Sequence, residues 1–177
     1  KIASPFLFVR ATVGGDRQGS LRPGERADGN VVFRNNLSQK IQNVTIALSF
    51  NENLVDLSSV RVERGFYDAT RHSIVWNPAS NKSLGELAPG EEGTLAFSFV
   101  VKGALPIRSF ADKDFILPVK TSIDSGSPPA EFRGVSLKYQ DAIEFKIESP
   151  LRLVSRATYH DSPVQNSGPL PPRVGQN

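Results

Sequence analysis

The chain has 177 residues, 21 Lys and Arg against 18 Asp and Glu, a formal charge of +3, and neither Cys nor Met. The missing Cys excludes disulfides, thiolate metal sites and a Cys nucleophile, so the fold must hold by packing alone. A chain this long buries roughly 70% of its unfolded surface, enough for a real core without staples. The basic residues are scattered singly, as at Arg10, Arg17, Arg22, Arg26 and Arg34, with no focused stripe and no nucleic-acid-binding module. No segment reaches the ~18 consecutive apolar residues of a membrane span. The chain opens at Lys1 rather than Met, as expected of a processed or excised piece of something longer, and its lack of both oxidisable sulfur residues suits life outside the cell.

In chain order, Pro5-Phe-Leu-Phe-Val-Arg-Ala-Thr-Val13 reads as a first strand, rich in aromatic and β-branched residues. Gly14-Gly-Asp16 and Leu21-Arg-Pro-Gly-Glu25 read as turns, the second with the Pro-Gly order of type II geometry. Asp28 to Arg34 alternates as a strand. After a polar loop, Val44, Ile46, Leu48 and Phe50 alternate with Thr45, Ala47 and Ser49, the cleanest period of two in the chain. Leu54 to Glu63 holds one or two short strands. Gly65-Phe-Tyr-Asp68 and Ser73-Ile-Val-Trp76 pair as hairpin arms around His72. Leu87-Ala-Pro-Gly-Glu91 then turns into the strand Gly93 to Lys102, with Leu95, Phe97, Phe99 and Val101 on one face; this reads as a sandwich edge turning back across its own core.

Beyond it, strands are expected at Phe115 to Asp124, Phe132 to Tyr139, Ala142 to Glu148 and Leu151 to Tyr159, with a loop at Ser125-Gly-Ser-Pro-Pro129 and a helical turn near Arg108 to Lys113. No segment sustains a 3.6 period. The recurrence of short strands between turn signals predicts an all-β, immunoglobulin-like antiparallel sandwich of about ten strands over residues 1–160. Residues 161–177 hold four Pro and two Gly and read as a Pro-rich linker or the lead-in to a next repeat. Within that tail, Pro172-Arg-Val-Gly-Gln176 parallels Arg22-Pro-Gly-Glu25 as an opening of successive units.

The residues also carry a resemblance. Leu21-Arg-Pro-Gly-Glu25, Val31-Val-Phe-Arg-Asn-Asn36, Ile41-Gln-Asn-Val-Thr-Ile-Ala-Leu48, Gly65-Phe-Tyr-Asp68, Ile74-Val-Trp76 and Leu87-Ala-Pro-Gly-Glu91 with its strand are similar, in order and spacing, to the DUF11-type immunoglobulin-like repeat of bacterial multi-repeat surface proteins. The likeness covers 21–102 and departs from the family at Asn51-Glu-Asn-Leu-Val-Asp56; the strands of 115–159 look like additions found in longer versions of such units. The resemblance implies an extracellular, cell-surface, non-catalytic module whose partners are neighbouring repeats of the same chain and a cell-surface glycan or protein. A membrane would be reached only through a separate anchor outside this chain.

Candidate chemistry is sparse. His72 and His160 are the only His, each in a polar segment. Asp112-Lys-Asp114 is too thin for a calcium loop. Glu144, Lys146 and Glu148 alternate with Ile143, Phe145 and Ile147, which puts the charges on a solvent face rather than across a catalytic cleft. No catalytic, cofactor or metal residue is assigned, and no enzyme is expected. Asn36, Asn43 and Asn81 head glycosylation sequons that read as chance in a chain of bacterial resemblance. Trp76 reads as core, its N–H meeting a backbone acceptor; the alternative is a sugar-binding platform of Trp76, Phe66 and Tyr67. That leaves a structural or adhesive repeat as the first expectation. An extracellular binding module, cohesin-like or carbohydrate-binding, is the second, since 21–62 also resembles cohesins in order.

Overall fold

A computed structural model describes residues 5–105 and 115–148. It is built from strands, with two short 3₁₀ turns and no α-helix among the described residues. The strands are β1 (Leu7–Val13), β2 (Gln18–Leu21), β3 (Arg26–Asn35), β4 (Ile41–Phe50), β5 (Val55–Val62), β6 (Phe66–Asp68), β7 (Ser73–Trp76), β8 (Glu86–Leu87), β9 (Glu92–Val101), β10 (Ile116–Ser127) and β11 (Tyr139–Ile147). One sheet runs β1-β3-β9-β5. The other runs β2-β11-β10-β4-β7-β6, with β8 paired to the start of β4. All ladders are antiparallel except β2 with β11, which is parallel.

Alternation sets which face each strand buries. Leu7, Val9, Ala11 and Val13 of β1 and Leu117, Val119, Thr121 and Ile123 of β10 all turn inward, where they meet Val44, Ile46, Leu48, Trp76, Leu95, Phe97 and Phe99 in one continuous core. The two central strands of the first sheet, β3 and β9, interlock through glycine. Gly29 pairs with Phe97 and Phe33 with Gly93 across the β3–β9 ladder. Each ring lies over its glycine so closely that a Cβ on Gly29 would stand 2.3 Å from the Phe97 ring, and one on Gly93 2.5 Å from the Phe33 ring.

The strand Gly93 to Lys102 is therefore no edge. It sits as β9 between β3 and β5, because its inward aromatics need a neighbour on each side. The stretch Leu54 to Glu63 holds a single strand, β5, with a register shift between Asp56 and Arg61. Two other expectations are corrected. β10 continues to Ser127 through the expected loop, since Ser125 and Ser127 still pair with Val44 and Gln42 and the Ser125 hydroxyl donates to the Gln42 carbonyl at 2.8 Å. Residues 132–138 are not a strand: a 3₁₀ turn at Ala130–Phe132 and the left-handed Gly134 (φ 85°) break the extended run, and β11 starts only at Tyr139. The expected strand 151–159, the turn at 108–113, the 161–177 tail and His160 lie outside the described residues.

Two Leu-x-Pro-Gly-Glu turns have the same chemistry. Gly24 (φ 80°) and Gly90 (φ 73°) take the left-handed position that follows Pro in a type II turn. In each, the Glu carboxylate accepts from the N–H three residues back: Arg22 N–H to Glu25 and Ala88 N–H to Glu91, both at 2.7 Å. The second turn is also stitched to the core's one fully buried amide. Asn35 Nδ2 donates to the carbonyls of Gln39, Leu87 and Ala88 at 2.8, 3.2 and 3.1 Å, and its Oδ1 accepts from Leu37 N–H at 3.0 Å. Replacing Asn35 by Ala strands these four backbone groups, so it should lower stability by roughly 3 kcal/mol. Asn36→Ala, which removes one exposed bond to the Pro5 carbonyl, should cost less than about 1 kcal/mol. Urea unfolding with an unchanged m value checks both.

Candidate functional site

The aromatic residues singled out by sequence do not share a face. Adjacent strand residues point to opposite sides. Tyr67 pairs with Ile74 on the inner side of β6–β7, while Phe66 pairs with Val75 on the outer side. Trp76 pairs with Ile46 on the inner side and is fully buried. Its indole N–H donates to the Glu63 carbonyl at 3.0 Å, and its ring meets Phe97 edge-on at 6.5 Å. A Cβ on Gly65 would collide with it. Trp76 is thus unavailable to a ligand. Tyr67 is half-buried and stacked on Phe50 at 6.3 Å, which leaves Phe66, 43% exposed, as the one outward ring of the three.

Tyr67 instead belongs to a polar cluster. Its hydroxyl donates to the Glu52 carboxylate, which also meets His72 Nδ1 at 2.8 Å, and Lys102 Nζ donates to the Glu52 carbonyl at 3.0 Å. His72 is exposed with φ 51°, at the tip of the β6–β7 hairpin. The bonds from Tyr67 and His72 hold Glu52 below the usual carboxylate range. Burial, and the bond to Glu52, push the Tyr67 phenol up to about 12. Asn81, one of the sequon residues, is buried and caps the 3₁₀ turn at Lys82–Gly85.

A second aromatic group went unread in the sequence. Phe6 meets Phe132 edge-on at 5.3 Å, Phe8 stacks on Tyr139 at 6.3 Å, and the Arg10 guanidinium lies over Phe8 at 5.1 Å. It could not be read there because its rings come from opposite ends of the chain. These contacts place the start of β1 beside the start of β11.

The densest polar constellation lies along β2 and β11. Gln18 to Leu21 pair in parallel with Glu144 to Ile147. Arg17 makes two bonds to Asp141, Nη1 at 2.8 Å and Nη2 at 2.9 Å, with the Asp141 side chain 16% exposed. A forked guanidinium–carboxylate pair of this kind is stronger and more directional than an ordinary surface pair. It also holds the Arg17 proton more tightly than in a free guanidinium. At the far end, Glu148 accepts from the Ser20 hydroxyl at 2.8 Å and from Arg22 Nε at 3.0 Å, and its N–H donates to the Leu21 carbonyl at 2.8 Å. The Ser20 and Arg22 bonds keep Glu148 below the usual carboxylate range. Glu144 and Lys146, as expected, stand on the solvent face. Asp112 and Asp114 lie outside the described residues.

This arrangement fixes the path of the chain. β1 begins beside Tyr139, and β2 ends beside Ile147. The first strand is therefore split: β1 is laddered to β3 in one sheet, and β2 to β11 in the other. The described residues begin at Pro5, at one, proximal pole of the sandwich, and end at Glu148, at the opposite, distal pole.

No protein-family model matches the sequence, and no curated protein matches it. Among solved structures, the chain is similar to a variant of the major pilin subunit of Bacillus cereus, with 9% identity, a TM-score of 0.51, and coverage of 80% of this chain and 40% of that one. It is also similar to AvmM, described as catalysing macrocyclization in alchivemycin A biosynthesis, at 10% identity and a TM-score of 0.48, over 85% and 94% of the two chains. A CARDB domain from Pyrococcus furiosus is similar at 10% identity and a TM-score of 0.44, over 81% and 89%. The pilin likeness supports the immunoglobulin-like sandwich fold, and the chain spans less than half of that subunit.

The chain has three Tyr, and one of them, Tyr67, should ionise near pH 12 in a phenolate absorbance titration. A phenol raised in the folded state stabilises fully below its ordinary value of 10.0 and loses that contribution as pH rises to about 12. Tyr67→Phe should flatten the stability profile across that window, and Glu52→Gln should move the late phenol to lower pH.

Proposed function

We propose that the chain is a non-catalytic structural or adhesive repeat module of an exported, cell-surface, multi-domain protein. The observation that carries this reading is a recurrence in the sequence. Ser4-Pro-Phe-Leu-Phe-Val-Arg-Ala-Thr-Val13 comes back, with one inserted residue, as Ser149-Pro-Leu-Arg-Leu-Val-Ser-Arg-Ala-Thr-Tyr159. Gly19-Ser-Leu-Arg-Pro23 comes back as Gly168-Pro-Leu-Pro-Pro172. The repeated positions include core residues: Val9, Ala11 and Leu21 are buried, and their counterparts are Val154, Ala157 and Leu170. A single inserted residue is what a β-bulge absorbs.

The opening of the sandwich thus recurs directly after its last described strand. The path from one pole to the other supports the same reading. A unit entered at one end and left at the other, about 30 Å along for a nine-residue β11, stacks in line with its neighbours. The partners are then adjacent repeats, with a cell-surface glycan or protein beyond them, and the setting is extracellular. The engagement of Asp141 by Arg17 and of Glu148 by Ser20 and Arg22 supports a structural rather than a catalytic use of these carboxylates.

A tandem chain tests this. The chain through Gln176 is continued by a second copy of residues 26–148, so that the second copy has only residues 149–176 to supply its first two strands. The second copy should fold, doubling the near-ultraviolet signal of buried Trp and yielding two protease-resistant units in line by small-angle scattering. A control in which the second copy brings its own residues 4–25 should do the same. A second copy that folds in the control but stays unfolded in the test chain would sink the repeat reading.

A further inference from the structure

We propose that the split first strand, β1 with β2, is a shear clamp that makes the sandwich resist tension applied between its two poles. The inference rests on the repeat reading for its biological use, but the anisotropy it describes belongs to a single sandwich.

Tension between neighbours would pull Pro5 away from the proximal pole and Glu148 away from the distal one. β1 would then be drawn along its own axis against β3, to which seven consecutive residues are paired. β11 would be drawn the opposite way against both β10 and β2. In such sliding, the ladder hydrogen bonds, which lie across the strands, are strained together rather than one after another. The turn between β1 and β2 adds little slack, because Val13 and Asp16 exchange both backbone bonds, at 2.9 and 3.0 Å.

The side chains reinforce this path. Arg17, at the joint of the split strand, is forked onto Asp141 of β11. Glu148, which follows β11, is held to β2 by Ser20 and the Leu21 carbonyl and to Arg22 just beyond it. An exposed pair such as Arg22–Glu148 adds little to equilibrium stability, and the forked Arg17–Asp141 pair adds more. Their placement across the two strands that must slide gives them a larger effect on forced unfolding, which is governed by the barrier rather than by the equilibrium.

Single-molecule pulling on the full chain tests the clamp. Handles on the two ends load it in shear. Since the chain has no Cys, Ser38→Cys gives a unique handle in the exposed β3–β4 loop. Pulling between the N-terminus and residue 38 draws Leu7 from Asn35 at the proximal pole and unzips β1 bond by bond. The end-to-end unfolding force should be several-fold the unzipping force. Arg17→Ala and Glu148→Gln should each lower the end-to-end force and leave the unzipping force unchanged. Urea midpoints of both variants show that they fold. Equal forces in the two directions, or a loss of force shared by both, would overturn the clamp while leaving the tandem reading standing.

Discussion

The interlock of β3 with β9 is the constraint on which the rest of the molecule depends. Phe33 lies on Gly93 and Phe97 on Gly29, so each large ring takes the space its partner's missing side chain leaves. This keeps the two strands at ladder distance while two aromatic rings fill the middle of the core. Phe97 then sets the position of Trp76 from the facing sheet and of Phe99 beside it. The hydrophobic gain from burying such rings is large and non-directional. The glycines convert it into a particular pairing of strands.

Polar groups are used at the margins of that core, where they fix the ends of strands. Asn35 satisfies four backbone groups at the proximal pole, and the two Leu-x-Pro-Gly-Glu turns each bind their own N–H with a carboxylate. A buried amide is tolerable only because nothing on it is left unpaired. At the distal pole the Glu52 cluster and the Glu148 bonds do comparable work in more exposed settings, and their carboxylates are held in the charged form.

The split of the first strand between sheets links fold to proposed use. A sandwich whose first and last strands ran in opposite directions would bring its ends to one pole and peel under tension. Here β2 and β11 run the same way. Pro5 and Glu148 therefore stand at opposite poles, and the one parallel ladder of the described residues ties β2 to the strand that ends beside Glu148.

Much of this was legible in the chain. Alternation at Val44 to Phe50 and Leu95 to Val101 reported which residues face inward, because a strand's side chains have a strict period of two. The Pro-Gly pairs marked turns because only Gly accepts the left-handed position freely. Trp76 as core and the hairpin around His72 followed from the same local rules. What local rules cannot carry is which strand lies beside which. Period two reads the same in an edge strand and a central one, so β9 was misplaced. The alternation of Val135, Leu137 and Tyr139 with polar residues reads as extended, but the backbone turns at Gly134. The pairing of Arg17 with Asp141, 124 positions apart, and the meeting of Phe6 with Phe132 exist only once the two ends of the chain are brought together. Sequence determined the faces, the turns and the class of fold, since these depend on neighbours a few residues away. Tertiary structure alone decided strand order, the poles and the pairing of Arg17 with Asp141, since these depend on which distant surfaces exclude water from each other.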